Sequence, residues 1–328
     1  LARDARVNIP HSLRTLLRTS LAVAVLHVIF GGFVRISGSG MGCGDHWPKC
    51  QGAWFPPMGQ PTLVVEWTHR LLALVLLITV AATAGAAWRS RGEEGVGGRT
   101  GVMRPALAAL ALVVLTALFG AITVWLGNTP FATVVHWTLA ATLLATLATA
   151  LVRAGDFGGA KWAAGTAKLF RASVAAVGLT LGVLILGGLT AKVPGASVVC
   201  PSFPLCGSEA GAPFVMRLVL IQMAHRVLAF LLFFHLMGLT ISTRKLQGAP
   251  AAVRALRVAF GLALLQVLVA GAMIGMHLPP ALRSLHQMVG VFLWLAVVIT
   301  ALLARRAAPA EPPLPPSIAV IIARGGGA

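Results

Sequence analysis

The sequence predicts an all-α integral membrane protein whose eight transmembrane helices form two pseudo-symmetric four-helix bundles. Three observations predict this. First, the 328 residues are 58% hydrophobic and 10% charged, with mean hydropathy +0.88, which is not a soluble globular composition. Second, eight apolar stretches reach the length that crosses a hydrocarbon core. Third, landmarks of the first half return in the second: Gly31-Gly32, Cys50 and His69 recur as Gly187-Gly188, Cys206 and His225, each 156 residues on.

Taken in order, the spans read as 17–36, 62–88, 103–126, 131–153, 169–192, 214–242, 253–276 and 281–304. The first follows a basic stretch but runs on without an A-x-A-like cleavage site, so it is expected to be a retained helix. The net charge is +18. Nineteen of the 26 basic residues fall in, or within a few residues of, the segment before span 1, the segment after span 8 and the loops 2–3, 4–5 and 6–7. The positive-inside rule places those loops and both termini in the cytoplasm. Anchoring to anionic lipid, not binding to nucleic acid, explains this pattern.

The remaining loops then face outward, and two of them hold all four cysteines. Cys43 and Cys50 share the first, Cys200 and Cys206 the third. An oxidising outer face, matching loops and the absence of Cys-x-x-Cys spacing favour one disulfide per loop over free thiols or a metal site.

The repeat gives the domain organisation. VIFGGFVRISGSGMGCGDHWPKCQG and EWTHR in the first half answer LILGGLTAKVPGASVVCPSFPLCGS and QMAHR in the second. Residues 1–153 form an N-terminal four-helix half and 169–306 a C-terminal one. A Gly-rich cytoplasmic linker spans 154–168, and the Pro- and Gly-rich tail 307–328 is expected to be disordered. Both halves start on the same side, so they are parallel repeats.

Four histidines occupy matched membrane positions. His69 pairs with His225, and His136 with His286, 150 residues on. Ionisable groups in a bilayer are costly and usually functional. All four lie on even-numbered spans, roughly 8–17 Å below their outer ends at 1.5 Å rise per residue. Two histidines facing each other in a bundle core suit axial ligation of one planar cofactor. His27 and His235 lie in spans without matching partners, and are expected to hydrogen-bond neighbouring helices.

Glu66 is the one acidic residue of eight inside a span. It sits one turn before His69, on the same face, where the second half has Gln222. That asymmetry gives only the first half a carboxylate for chemistry, against the simpler role of pairing with Arg70 or Arg35. Arg70, Arg226 and Arg283 flank the histidines and suit two roles equally: snorkelling to headgroups, or pairing with the carboxylates of a bound cofactor. Trp67 and Trp137 read as interfacial anchors. The glycine pairs lack the strand–helix context of a phosphate loop and instead permit close approach of helices or a large ring.

GGFVRISGSGMGCGDHWPKCQG, EWTHR, VVHW, CPSFPLCG, QMAHR and LHQMVG resemble the heme A synthase family over about residues 15–305. The resemblance implies an enzyme of a bacterial-type cell membrane, with its cysteine loops and heme sites toward the outer face. It would oxidise the C8 methyl of heme O to a formyl group for terminal oxidases. Two hydroxylations would give a gem-diol that loses water, with dioxygen as oxidant, since no side chain supplies that potential. It implies that His225 and His286 ligate a heme b, that His69 and His136 flank the substrate heme O, and that Glu66 is catalytic. Cys43–Cys50 and Cys200–Cys206 are the family's loop pairs. Heme O synthase and oxidase assembly factors become candidate partners, while the sequence names no electron donor. The first loop departs from the family pattern in His46, and the chain has no tyrosine. A diheme membrane cytochrome for quinone-linked electron transfer is the alternative; a transporter fits less well, because its repeats are more often inverted.

Overall fold

The computed structural model describes residues 9–158, 166–206, 213–246 and 249–308. Among these, eight α-helices follow one another: α1 (His11–Ile36), α2 (Pro61–Arg89), α3 (Met103–Trp125), α4 (Pro130–Arg153), α5 (Thr166–Lys192), α6 (Pro213–Ser242), α7 (Pro250–Gly275) and α8 (Pro280–Ala307). All eight are long and apolar enough to cross a bilayer, and the chain is a multi-pass membrane protein. Proline stands at the start of α2, α4, α7 and α8, where a helix has no use for its missing N–H and its fixed φ is already helical. Arg89, Arg153 and Arg305 end α2, α4 and α8, opposite the negative pole of the helix dipole.

The helix bounds follow the predicted spans closely except at α1, which begins six residues earlier than expected. Its extra turns pack on the protein itself. Ile9, Leu13 and Leu17 bury against Val96, Val102 and Ala106 of the 2–3 connection and α3. Arg18 donates to Asp156 just past α4 at 2.7 Å, tying the first helix to the close of the fourth. The expected linker is a turn after α4 and the first residues of α5, with 159–165 outside the described residues. The expected tail likewise lies outside them from residue 309.

Helix α1 packs on α2 and α4, and α3 packs on the same two. In the same way α5 and α7 each pack on α6 and α8. The two sets meet where α1, α4, α5 and α8 touch. Helix α8 is the most enclosed: its Val291, Trp294 and Val298 join Ala24 of α1, Leu76 of α2 and Leu144 of α4 in one core. Trp294 Nε1 donates to Ala141 O at 2.8 Å.

The two glycine pairs explain how closely these helices approach. A Cβ on Gly31 would lie 2.9 Å from Cε1 of His69, and one on Gly187 2.9 Å from Cε1 of His225. The first glycine of each pair thus seats the histidine of its own half. The second glycine seats a side chain from the other half. A Cβ on Gly32 would overlap the Gln287 amide, and one on Gly188 would lie 3.3 Å from the Trp137 ring. Trp137 and Gln287 each follow a paired histidine and stand 150 residues apart.

Candidate heme-binding cavity

The loops at the starts of the even helices are built first. Cys43 and Cys50 are disulfide-bonded, as are Cys200 and Cys206. Each loop folds over one helix. Glu66, 3% exposed, accepts the Cys43 backbone N–H at 2.8 Å through Oε2. At the equivalent position Gln222 Oε1 accepts the Cys200 N–H at 3.0 Å. Holding the first cysteine is therefore shared by the two residues. The carboxylate differs in its other oxygen, which accepts from Arg70 Nη2 at 2.5 Å.

Arg70 and Arg226 hold these loops, contacts that the sequence does not show. Arg70 Nη1 donates to His46 O, Pro48 O and Lys49 O, two of them at 2.7 Å. Arg226 donates to Ser202, Pro204, Leu205 and Cys200 carbonyls at 2.6–3.1 Å. Trp67 Nε1 likewise reaches Trp54 O at 2.8 Å. Nothing in the sequence shows which carbonyls converge, because convergence depends on the loop's folded path.

Beneath the loops a single cavity of about 1210 Å³ runs between the halves. His69, His136, His225 and His286 all line it, with Glu66 at its first-half end. His136 Nδ1 lies 3.0 Å from Thr116 O and His225 Nδ1 3.1 Å from Val183 O. A carbonyl only accepts, so each Nδ1 carries the proton and each Nε2 keeps a lone pair, the form that binds a metal. Gly120 leaves room for this at His136, since a Cβ there would lie 3.4 Å from its Cε1. His69 and His286 are held differently: their Nδ1 atoms are buried without a hydrogen-bond partner among the described residues. His286 instead has Gln266 beside it, whose Nε2 donates to His286 O at 2.9 Å and lies 3.3 Å from His286 Nε2. Thr116 and Gln266 occupy equivalent places, 150 residues apart.

Two sequence expectations for lone histidines divide. His235 Nε2 does bond a neighbouring helix, at Ala172 O, 2.8 Å. His27 does not. Its ring stacks on His69 with centroids 4.2 Å apart and planes 5° apart, and its Nδ1 is buried without a partner. It lines the cavity and belongs to the first histidine cluster.

Three cations line the same cavity where the halves meet: Arg35, Lys192 and Arg283. Arg35 lies over Trp137 at 5.7 Å and donates to Gln287 at 3.3 Å, while its Nε has no partner. Arg35 does not pair with Glu66. None of the three has an acidic partner among the described residues.

A helical membrane bundle with four histidines on an interior cavity has the kind of core side chains with which such bundles can hold a metal or cofactor. The sequence matches the cytochrome oxidase assembly protein family over residues 14–63 and 60–298, and the chain belongs to that family. Its relatives include proteins named Heme A synthase. Those of Geobacillus thermodenitrificans and Geobacillus kaustophilus are each 31% identical, over 64% of this chain and 66% of their own length. That of Shouchella clausii is 30% identical over 76% of this chain and 81% of its own length. The chain thus spans just under two thirds of the two Geobacillus proteins.

Proposed function

We propose that this chain is a heme A synthase, which oxidises the C8 methyl of heme O to a formyl group by successive hydroxylations. One observation carries the reading: a single cavity presents two histidine pairs, and a carboxylate stands beside the first pair alone. In this reading His225 and His286 hold a heme b in the C-terminal half. His69 and His136 flank the iron of heme O in the N-terminal half.

The residues present fit such groups. His136 and His225 are hydrogen-bonded so that Nε2 is free for iron. The volume suits flat rings against glycine-lined walls. Arg35, Lys192 and Arg283 are cations in an apolar setting without anions of their own, and the propionates of a porphyrin supply them. Arg283 keeps its expected role here, and Arg35 and Lys192 join it. Arg70 and Arg226 act one step removed, by keeping the loop roofs in place and water out of the cavity.

When bound, heme b supplies an electron-transfer iron, and dioxygen supplies the oxidising power for the methyl. The protein's part is orientation and proton handling. Glu66 Oε1 and Oε2 are fixed by Arg70 and Cys43, so the carboxylate is held rigidly at the cavity wall. There it can take a proton from the reacting carbon's hydroxyl or pass one inward. The charge pattern sets the loops and both sites toward the outer face, with the termini in the cytoplasm.

Heme extraction from the purified protein tests the proposal. Heme b together with heme O or heme A supports a synthase. Two equivalents of heme b per chain, with neither of the others, support the diheme cytochrome instead.

A further inference from the structure

We infer that His27 is a positioning residue for the first histidine pair: its ring fixes the plane of His69 by stacking, in place of the hydrogen bond that fixes His225. This rests on the reading of His69 as an iron ligand. The comparison comes from the repeat. His27 and Val183 are 156 residues apart, like His69 and His225. In the second half, the backbone carbonyl of Val183 accepts His225 Nδ1 at 3.1 Å. In the first half no such bond forms, and His69 Nδ1 is buried without a partner. The device at that place is the His27 ring itself, parallel to His69 at 4.2 Å and 5°.

The local structure makes the stack possible. His27 and Gly31 are one turn apart on α1 and so share a face. Gly31 lets the His69 ring come within 2.9 Å of where a Cβ would be, and His27 closes one ring face. His69 is thereby confined on the α1 side by a glycine and an imidazole.

The two devices differ chemically. A carbonyl accepting from Nδ1 orients the ring and also raises the basicity of Nε2. A stacked ring orients it without that second effect. His69 is thus held in place while its Nε2 is not strengthened. In the second half position 183 is an aliphatic residue, and its backbone carbonyl orients His225.

The test uses the purified chain loaded with its hemes, and three variants: His27→Val, which copies the second half, His27→Phe, which keeps a flat ring without nitrogen, and His69→Ala. Low-temperature electron paramagnetic resonance of the ferric protein reads the planes of axial imidazoles. The low-spin signal lost in His69→Ala identifies the first site. His27→Val is expected to shift that signal's largest g-value beyond its linewidth and leave the second-site signal unmoved, which also reports correct folding. His27→Phe is expected to restore the parental value. An unchanged first-site signal in His27→Val overturns the inference. A His27→Phe protein that behaves as His27→Val also overturns it, because a nitrogen would then be acting. If the parent shows no signal that His69→Ala removes, the ligand reading of His69 fails and this inference falls with it.

Discussion

Glu66→Gln separates what the carboxylate does for the loop from what it does for chemistry. The second half already contains the outcome for the loop: Gln222 Oε1 accepts the Cys200 N–H at 3.0 Å, as Glu66 accepts that of Cys43 at 2.8 Å. The amide therefore keeps this bond. It loses the ionic component of two bonds, one from Cys43 and one from Arg70, a cost of about 1–2 kcal/mol. Arg70 retains its three loop carbonyls. Glu66→Ala removes both bonds and leaves a partly exposed guanidinium without its acid, a loss of about 1.5–3 kcal/mol for each bond. If Glu66 transfers protons in the reaction, Glu66→Gln lowers heme A formation by about 100-fold or more while heme b binding and both disulfides persist. Extracted pigments resolved by chromatography give the heme A yield, and the difference spectrum gives heme b. A Glu66→Gln protein that makes heme A at the parental rate refutes the chemical role and leaves Glu66 a loop anchor. A variant that loses heme b as well would show that the amide cannot hold the roof, against the precedent of Gln222.

Three further outcomes follow from the geometry. Gly31→Ala and Gly187→Ala each drive a methyl to 2.9 Å from a histidine Cε1, so each should disturb the optical spectrum of its own site and spare the other. Arg226→Lys replaces a fork bonded to four carbonyls with one ammonium, at about 1–3 kcal/mol for each carbonyl left dry. Protease cleavage near residues 200–206 should become faster, and heme b should be lost on purification. Reducing both disulfides, which close loops of seven and six residues, should remove about 2 kcal/mol each by the chain-entropy estimate. That appears as a lower apparent Tm in detergent, and an unchanged Tm would show that the bonded Glu66 and Gln222 already set the loop paths.

The helices were legible because lipid imposes one simple demand, a run of apolar residues, and the spans were found within about three residues apart from the start of α1. That start escaped because Leu13 and Leu17 bury against the connection between α2 and α3, and hydropathy is blind to such packing among arginines. The histidine pairs were legible because the repeat doubles them. The same logic hid His27: it has no histidine counterpart, and a residue without a match reads as incidental. Yet Glu66 was singled out by that very contrast with Gln222, and His27 against Val183 carries the same signal. The loop contacts of Arg70 and Arg226 escaped for another reason. Side-chain charge is visible in sequence, but a nest of backbone carbonyls made by a folded loop is not.

The exchange of side chains across Gly32 and Gly188 has a consequence beyond packing. Gln287 of the second half rests on the first, and Trp137 of the first rests on the second, at equivalent positions. Residue i touching j while j touches i is the contact rule of a two-fold symmetric dimer. A four-helix chain of half this length would meet the rule only by associating with its own copy, and both of its sites would then be identical. Joining the copies in one polypeptide keeps the two-fold contact and releases each side to change alone. One seat holds an amide and the other an indole, and within the same frame one side carries Glu66 and His27 where the other carries Gln222 and Val183.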